Sequence, residues 1–140
     1  MTKLTLNQIK KKIKKAEALG ACDDDLYILK SLKTLEDYLE HPYAPYWIYW
    51  ICDETQERWE EAENIVLKSP EFSCYYALDI IKGRWKEAES IILTSPKYGY
   101  YYARDVIQGR WEEAENNIAT IDYWNNVYLD LIKKSSITTP

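Results

Sequence analysis

Apolar residues recur along this 140-residue chain with the period of a helix, and no segment shows the two-residue alternation of apolar and polar residues that is typical of a strand. Over residues 5–19, apolar side chains recur at intervals of three and four with lysines between them, which predicts an amphipathic helix. Thr5 is placed to cap its first turn, and Gly20 is placed to end it. A second helix is predicted from Asp23 to the His41-Pro42 pair, because a residue before proline disfavours the helical region. Its apolar positions are Leu26, Leu29, Leu32, Leu35 and Leu39.

A six-residue segment then recurs at a fixed interval of 26 residues. Its three copies are Arg58–Glu63, Arg84–Glu89 and Arg110–Glu115. A fixed period of this length is typical of stacked supersecondary units, each of which is unable to bury its apolar face alone. The sequence therefore predicts an all-α fold of stacked αα-hairpin repeats, a short α-solenoid.

We expect one domain spanning residues 1–140. Within it, residues 1–41 form an N-terminal helical cap with a basic first helix, residues 42–134 carry the repeats, and residues 135–140 form a flexible tail. Outside the three well-matched copies, the copy that begins near Tyr46 and the one over residues 116–134 are degenerate, as expected of terminal repeats whose outer faces meet water.

Each repeat is predicted to be a pair of short helices. The predicted pairs are 60–68 with 70–82, and 86–94 with 96–108. The Ser69-Pro70 and Ser95-Pro96 pairs are suited to start the second helix, with serine as N-cap and proline in the first position. Gly83 and Gly109 are placed to end it in the left-handed conformation. The tryptophans Trp59, Trp85 and Trp111 are expected to be buried between neighbouring helix pairs, which leaves the tyrosines and arginines along an open side.

The block from Tyr101 to Glu115 resembles a repeat common in bacteriophage-encoded proteins, which has a Tyr-Ala-Arg-Asp-Val-Ile, Gly-Arg-Trp-x-Glu-Ala-Glu signature. The resemblance covers about residues 46–134. Members of that family often carry proline after the tryptophan, whereas this chain has Glu60, Lys86 and Glu112 there. The resemblance implies a phage-type origin and a short helical-repeat stack, and it identifies no catalytic residue.

Aromatic residues and charge are unevenly distributed. The chain has 13 Tyr and 6 Trp but one Phe, and these polar-tipped rings suit half-buried surfaces. The net charge is -5, yet residues 1–20 hold six lysines against Glu17 alone, so the remaining residues are strongly acidic. Such a body argues against general binding of nucleic acid. The lysines are either a solvated helix face or a contact for nucleic acid or an acidic partner.

The cysteines and the hydropathy pattern indicate a soluble protein of a reducing compartment. Cys22, Cys52 and Cys74 lack metal-ligand spacing and are expected to be reduced, mostly buried thiols. No apolar run reaches the roughly 18 residues of a membrane span, and the first residues lead into no signal-peptide core. We therefore expect a cytoplasmic protein, in the host cytoplasm if it is phage-encoded, that makes no contact with a membrane.

Enzyme chemistry finds little support in the sequence. His41 is the only histidine, and its position before Pro42 indicates a turn residue. The chain has no glycine-rich phosphate loop, no Cys/His metal cluster and no Ser/His/Asp arrangement. We expect no catalytic residue, metal or cofactor.

Two interpretations of the recurring arginines stay open. In the first they are structural, and each pairs with Asp or Glu of the adjoining helices, for example Arg84 with Asp79 or Arg110 with Asp105. In the second they face a ligand beside a row of tyrosines, because guanidinium groups match phosphates and aromatic faces stack on bases. The predicted ligand-binding residues are Trp47, Tyr49, Tyr75, Arg84, Tyr101, Arg104 and Arg110.

The leading functional hypothesis is a phage counter-defence protein that sequesters a small (cyclic) nucleotide immune signal without cleaving it. The alternative is an acidic helical-repeat adaptor that binds and inhibits a host defence protein. An enzyme acting on nucleotides is the third hypothesis. Exposed aromatic residues at the ends could also join copies into a homo-oligomer.

Overall fold

The computed structural model describes residues 3–20 and 25–138. Helices dominate these residues and no strand occurs among them, so the predicted all-α class is confirmed. The chain divides into two compact units, Met1–Val66 and Leu67–Pro140, and the division falls inside the segment 42–134 that the sequence assigns to repeats. No helix within the described residues has the length and apolar character needed to cross a bilayer.

The first unit is built on an amphipathic helix, α1, that packs against the apolar helix α4. Its helices are α1 (Leu6–Ala18), α2 (Asp25–Ser31), α3 (Leu35–Leu39), α4 (Ala44–Thr55) and α5 (Glu63–Val66), the last preceded by a 3₁₀ turn at Glu60–Ala62. The predicted ends of α1 are confirmed: Thr5 and Gln8 form a capping box, and Gly20 has a φ of 91°. The buried face of α1 comprises Ile9, Ile13 and Ala16, and its lysines lie outside that face.

The single helix predicted from Asp23 to His41 is wrong, because the structure has two helices there. The backbone N–H of Asp37 donates to the Thr34 hydroxyl, and the Asp37 carboxylate accepts from the Thr34 N–H. This capping box starts α3 at Leu35 and so interrupts the leucine pattern. The hydroxyl of Tyr38 donates to the carbonyl of Leu29 at 2.6 Å and ties the two helices together. The start predicted at Asp23 lies outside the described residues.

The second unit contains two well-formed copies of the repeated segment. Its helices are α6 (Pro70–Tyr76), α7 (Lys86–Ile92), α8 (Pro96–Tyr102), α9 (Glu115–Ile118) and α10 (Asp122–Thr138). The serine N-caps at Ser69 and Ser95 are confirmed, since each hydroxyl accepts the N–H of the residue three positions later. Helix α10 reaches Thr138 and therefore runs into the segment 135–140 predicted as a tail.

The tryptophans are buried as predicted. Trp59 is buried in the first unit, and Trp85 and Trp111 are buried in the second. The ring of Tyr76 lies 5.0 Å from that of Trp85, and the ring of Tyr102 lies 4.8 Å from that of Trp111. The same aromatic pair therefore recurs in the core of the second unit at the interval of 26 residues.

The left-handed residues stand one position earlier than predicted. Helix α6 continues into a π-helical turn, Ala77–Ile81, and α8 continues into a second one, Ala103–Ile107. Lys82 and Gln108 follow these turns with φ of 61° and 64°, whereas Gly83 and Gly109 do not have positive φ. The Lys82 N–H donates to the carbonyl of Ala77, five residues back, so the wider turn closes before the glycine is reached.

Two single substitutions, at Gln108 and at Gly109, test this backbone geometry. Gln108→Gly is expected to raise the free energy of unfolding by about 0.5–1 kcal/mol, because a left-handed non-glycine residue is strained. Gly109→Ala is expected to change the free energy of unfolding by no more than about 0.5 kcal/mol, because an added Cβ meets nothing within 4 Å. Urea unfolding measures both, and a loss above about 1 kcal/mol in Gly109→Ala would contradict the assignment.

The cysteines of the described residues match their prediction. Cys52 and Cys74 are buried free thiols, and Cys22 lies outside the described residues. Burial raises the pKa of the Cys74 thiol to about 12, so it stays protonated at neutral pH and is a poor nucleophile.

Candidate functional site

Seven aromatic rings form a continuous series across α6, α8 and α10 of the second unit, which we name the aromatic band. Its members are Phe72, Tyr75, Tyr98, Tyr100, Tyr101, Tyr123 and Trp124. Successive ring centroids lie 4.7–6.0 Å apart, mostly in edge-to-face contacts. Edge-to-face contacts of this kind are favourable between aromatic rings, so neighbouring rings hold one another in place. Most of the rings are half-exposed, and the side chain of Tyr123 is 63% exposed.

The 26-residue period explains how the band forms. Phe72, Tyr98 and Trp124 stand at one position of three consecutive repeats, and Tyr75 and Tyr101 stand three residues later in two of them. Residues three apart share a face of a helix. Because α8 packs against both α6 and α10, these faces adjoin, and the rings of Tyr75, Tyr98, Tyr101 and Trp124 meet in sequence.

The band carries one arginine on its tyrosines. The Arg104 guanidinium lies 4.8 Å from the ring centroid of Tyr101 and 5.5 Å from that of Tyr100, within the range of cation–π attraction. Two hydrogen bonds of 2.7 and 2.8 Å join it to the carboxylate of Asp105, and these raise the pKa of Arg104. The side chain of Arg104 is 45% exposed, so a permanent cation is presented beside the tyrosine rings.

The hydroxyl of Tyr98, in the band, is held in its neutral form. Burial, followed by hydrogen bonding to Tyr75 and Glu71, raises the pKa of Tyr98 above its usual value. A neutral phenol can donate or accept a hydrogen bond, but it is not a nucleophile at neutral pH. The groups that the band presents are ring faces, hydroxyls, the guanidinium of Arg104 and the ammonium of Lys97, which lies 5.3 Å from the ring centroid of Tyr98.

The second unit also repeats a hydrogen-bond network around its buried tryptophans. Arg84 donates to both carboxylate oxygens of Glu89, at 2.9 and 2.8 Å. The hydroxyl of Tyr102 accepts from the backbone N–H of Trp85 at 2.9 Å and donates to Glu89 at 2.7 Å. We name this four-residue network the first clamp. It holds the start of α7 against the end of α8.

A second clamp has the same form 26 residues later. Arg110 donates to both oxygens of Glu115 at 3.0 Å. The Tyr128 hydroxyl accepts from the Trp111 N–H at 2.9 Å and donates to Glu115 at 2.8 Å. In the first unit, Arg58 likewise donates to both oxygens of Glu63. The repeated arginines thus take structural partners.

These pairs confirm the structural interpretation, in which each arginine binds an acidic residue of an adjoining helix, but the particular partners differ from the examples given. Arg84 pairs with Glu89 instead of Asp79, and Arg110 pairs with Glu115 instead of Asp105. The reason is local, because the glutamate five residues later lies in the first turns of the next helix and reaches back across the buried tryptophan. Asp105 pairs with Arg104, its neighbour in the chain.

The predicted ligand-binding residues therefore separate into three groups. The structure brings Tyr75, Tyr101 and Arg104 together on the band. Arg84 and Arg110 remain partly exposed but belong to the clamps. Trp47 and Tyr49 lie on α4 of the first unit.

Trp47 fills the core instead of an accessible surface. It is 2% exposed, and its ring lies 4.2 Å from that of His41. The His41 Nδ1 accepts the backbone N–H of Tyr43, which fits the predicted turn role of this histidine. Tyr49 is half-buried.

The predicted ligand-binding residues did not include five members of the band: Phe72, Tyr98, Tyr100, Tyr123 and Trp124. The period of 26 contained the signal for two of them, since Tyr98 and Trp124 stand 26 and 52 residues after Phe72. Tyr100 belongs to no such series and joins the band through its contacts with Tyr101 and Trp124.

Within the part of the chain that the structure describes, no group of three or more His, Cys, Asp or Glu side chains is placed to hold a metal ion. No protein-family model, no curated protein and no solved structure matches this chain.

Proposed function

We propose that this protein is a phage counter-defence protein, a short α-solenoid that binds a small nucleotide signal on the aromatic band and sequesters it without cleaving it. Tyr101 and Arg104 are the central contacts. The observation that carries the proposal is the Arg104 guanidinium seated on the tyrosine rings of a half-exposed aromatic surface. The resemblance to phage-encoded repeats supports the setting.

The chemistry of the band suits a nucleotide. Base stacking on an aromatic side chain contributes about 1–3 kcal/mol per base and tolerates any base, because every base has a π-face. A guanidinium binds phosphate through two parallel hydrogen bonds. The carboxylate of Asp105 accepts hydrogen bonds from two guanidinium nitrogens of Arg104. A bound phosphate therefore either displaces this carboxylate or binds the remaining N–H donors of the guanidinium.

The repeat geometry supports the solenoid part of the proposal. The two clamps recur with the same partners at the same spacing, as expected when successive helix pairs pack in the same way. Side chains at one repeat position then align, as Phe72, Tyr98 and Trp124 do. The sequestering role assigns no catalytic residue to the band.

Binding assays with two point variants test the proposed site. The purified protein is titrated with cyclic mono- and dinucleotides and with cyclic ADP-ribose isomers by calorimetry. Tyr101→Ala and Arg104→Ala are each expected to weaken binding of the recognised ligand by about tenfold or more, since each removes a contact worth at least about 1.4 kcal/mol. Tyr27→Ala, which alters an exposed tyrosine of the first unit, is the matched control and should bind as the unaltered protein does.

The fate of the ligand separates sequestration from catalysis. Heating the complex and analysing the released molecule by mass spectrometry should return the ligand unmodified. Turnover of any candidate, abolished by one carboxylate substitution, would identify an enzyme. Failure of every candidate to bind would sink the proposal.

The composition of the band also favours the second candidate, an adaptor that inhibits a host defence protein. Tyrosine, tryptophan and arginine are the residues most enriched at the energetic centres of protein interfaces. Ile121, Tyr123 and Leu129 add exposed apolar area in the same unit. A pull-down that recovers one stoichiometric host protein, with affinity falling as salt rises, would favour the adaptor over sequestration of a nucleotide.

A further inference from the structure

We infer that a groove in the first unit is a second binding site, which takes the phosphate groups of a small oligophosphate anion. The groove has a volume of about 320 Å³, and its lining includes four cationic side chains. They are Lys11, Lys12, Lys15 and Arg58, and they are joined in the lining by Gln8, Trp59 and Glu61. We name it the basic groove. It gives a role to the lysine-rich helix, which the proposed function leaves unused.

The fold of the first unit brings these cations together. Lys11, Lys12 and Lys15 are placed at helical intervals on one side of α1, while the buried face of the helix packs against α4. Arg58 and Trp59 follow the end of α4 at Thr55 and so lie beside this side of α1.

The indole of Trp59 orders the inner part of the groove. The Nζ of Lys12 lies 5.6 Å from the centroid of the Trp59 ring, and the side chain of Lys12 is only 25% exposed. Such a cation–π contact fixes an otherwise flexible ammonium group. Because Trp59 is itself buried, it offers no open face on which a base could stack. The groove therefore selects charge and not a base.

Two of the lysines that line the groove already bind one anionic oxygen of the chain itself. Oε1 of Glu57 pairs closely with Lys15 and lies 3.9 Å from the Nζ of Lys12. The hydrogen bond from Lys15, then the charge of Lys12, lowers the pKa of this carboxyl group. Two ammonium groups thus converge on a single oxygen, and each keeps further N–H donors for a ligand.

The charge balance leaves positive charge for a ligand. Arg58 is paired with Glu63 and also lies 4.0 Å from Glu60, so it adds no net positive charge, whereas Glu57 alone serves both Lys12 and Lys15. Lys11 forms no ion pair with any residue that the structure describes. A ligand with several phosphate oxygens can bind Lys11 and share Lys12 and Lys15 with Glu57. Glu61 disfavours anions near its own carboxylate, so the cations of α1 carry the contact.

The size of the groove indicates the class of ligand. About 320 Å³ lies at the lower end of the volumes of small-molecule sites. This space suits a linear chain of two or three phosphate groups, either free or as the tail of a nucleoside triphosphate. A volume of this size is too small to hold many successive phosphates of a nucleic acid. The site depends on residues 8–61 alone and is independent of the aromatic band.

The test uses inorganic tripolyphosphate, titrated into the full chain by calorimetry at low salt, with two charge-reversal variants of α1. Lys11→Glu is expected to weaken binding at least tenfold, about 1.4 kcal/mol. Lys14→Glu is the matched control, because it makes the same change of net charge on an exposed position of the same helix outside the groove. It should weaken binding less than threefold. Far-UV circular dichroism verifies that both variants retain their helices.

The outcomes decide the inference in either direction. Saturable one-to-one binding that depends on Lys11 but not on Lys14 supports it, and nucleoside triphosphate competing at similar affinity identifies the phosphate tail as the shared feature. No saturable binding, or equal losses in both variants, overturns it. Tight binding of single-stranded RNA without binding of tripolyphosphate also overturns it. Tyr101→Ala should leave tripolyphosphate binding unchanged. The test of the basic groove is therefore independent of the test of nucleotide binding at the aromatic band.

Discussion

Replacing Trp85 with alanine is expected to lower the free energy of unfolding by about 3–5 kcal/mol. The indole is 3% exposed and packs against the ring of Tyr76, and its removal leaves a cavity between α6 and α7. The backbone N–H of the same residue is held by Tyr102, so a shift of the chain into the cavity would also weaken the first clamp. A domain of this size is stable by only about 5–15 kcal/mol, so one substitution removes a large share of its stability.

Urea unfolding followed by circular dichroism measures this loss. Tyr123→Ala is the matched control, because it deletes a large aromatic ring of the same unit that is mostly in solvent. It should change the free energy of unfolding by about 0.5 kcal/mol or less. Trp111→Ala should resemble Trp85→Ala, since both indoles are buried against a tyrosine in the same way. A loss below about 1 kcal/mol in both tryptophan variants would show that the indoles do not support the unit.

The sequence predicted those features that depend on a few neighbouring residues. The N-caps at Thr5, Ser69 and Ser95 need only a hydroxyl three residues before the N–H that it accepts. The buried tryptophans followed from a repeated apolar position. Such features are local or periodic, so the pattern contains all the information they need.

Features that depend on packing between helices were predicted less well. Trp47 lies on a helix that is apolar on most sides, so the pattern could not tell its buried side from an open one. The π-helical turns moved the left-handed residue from Gly109 to Gln108, and a period of 3.6 residues does not reveal an added residue in one turn. Trp124 was not predicted as a site residue because the sequence of the repeat around it has diverged, although its position fits the interval of 26.

The clamps and the aromatic band divide the arginines between two roles. Arg84 and Arg110 donate to glutamates that also hold a tyrosine hydroxyl, so a ligand could take them only by breaking the clamps. Arg104 is paired with a single neighbouring carboxylate and lies on the tyrosine rings. Substitution at Arg84 is therefore expected to lower stability, whereas under the proposed function substitution at Arg104 is expected to lower ligand binding, and the two effects are separable by experiment.

The second large effect is expected from Glu89→Gln, which removes the charge at the centre of the first clamp. The side chain of Glu89 is 13% exposed and holds both Arg84 and the Tyr102 hydroxyl. Hydrogen bonds to charged groups contribute about 1.5–3 kcal/mol each to stability. We expect a loss of about 2 kcal/mol at pH 7, because the amide keeps the shape of the side chain while one oxygen acceptor becomes a donor.

The loss in Glu89→Gln should depend on pH in a defined direction. Burial acts to raise the pKa of Glu89, but the hydrogen bonds from Arg84 and Tyr102 outweigh it, so the pKa lies below the ordinary value of 4.5. A carboxylate with a depressed pKa in the folded state stabilises the protein above about pH 4.5, and this contribution is lost as the pH falls through the folded-state pKa. The difference between the unaltered protein and the variant should therefore be full at pH 7 and nearly vanish in strong acid. Glu87→Gln, an exposed change on the same helix, is the control and should cost about 0.5 kcal/mol or less at either pH. A difference that stays constant as the pH falls would mean that Glu89 acts through its shape and not through its charge.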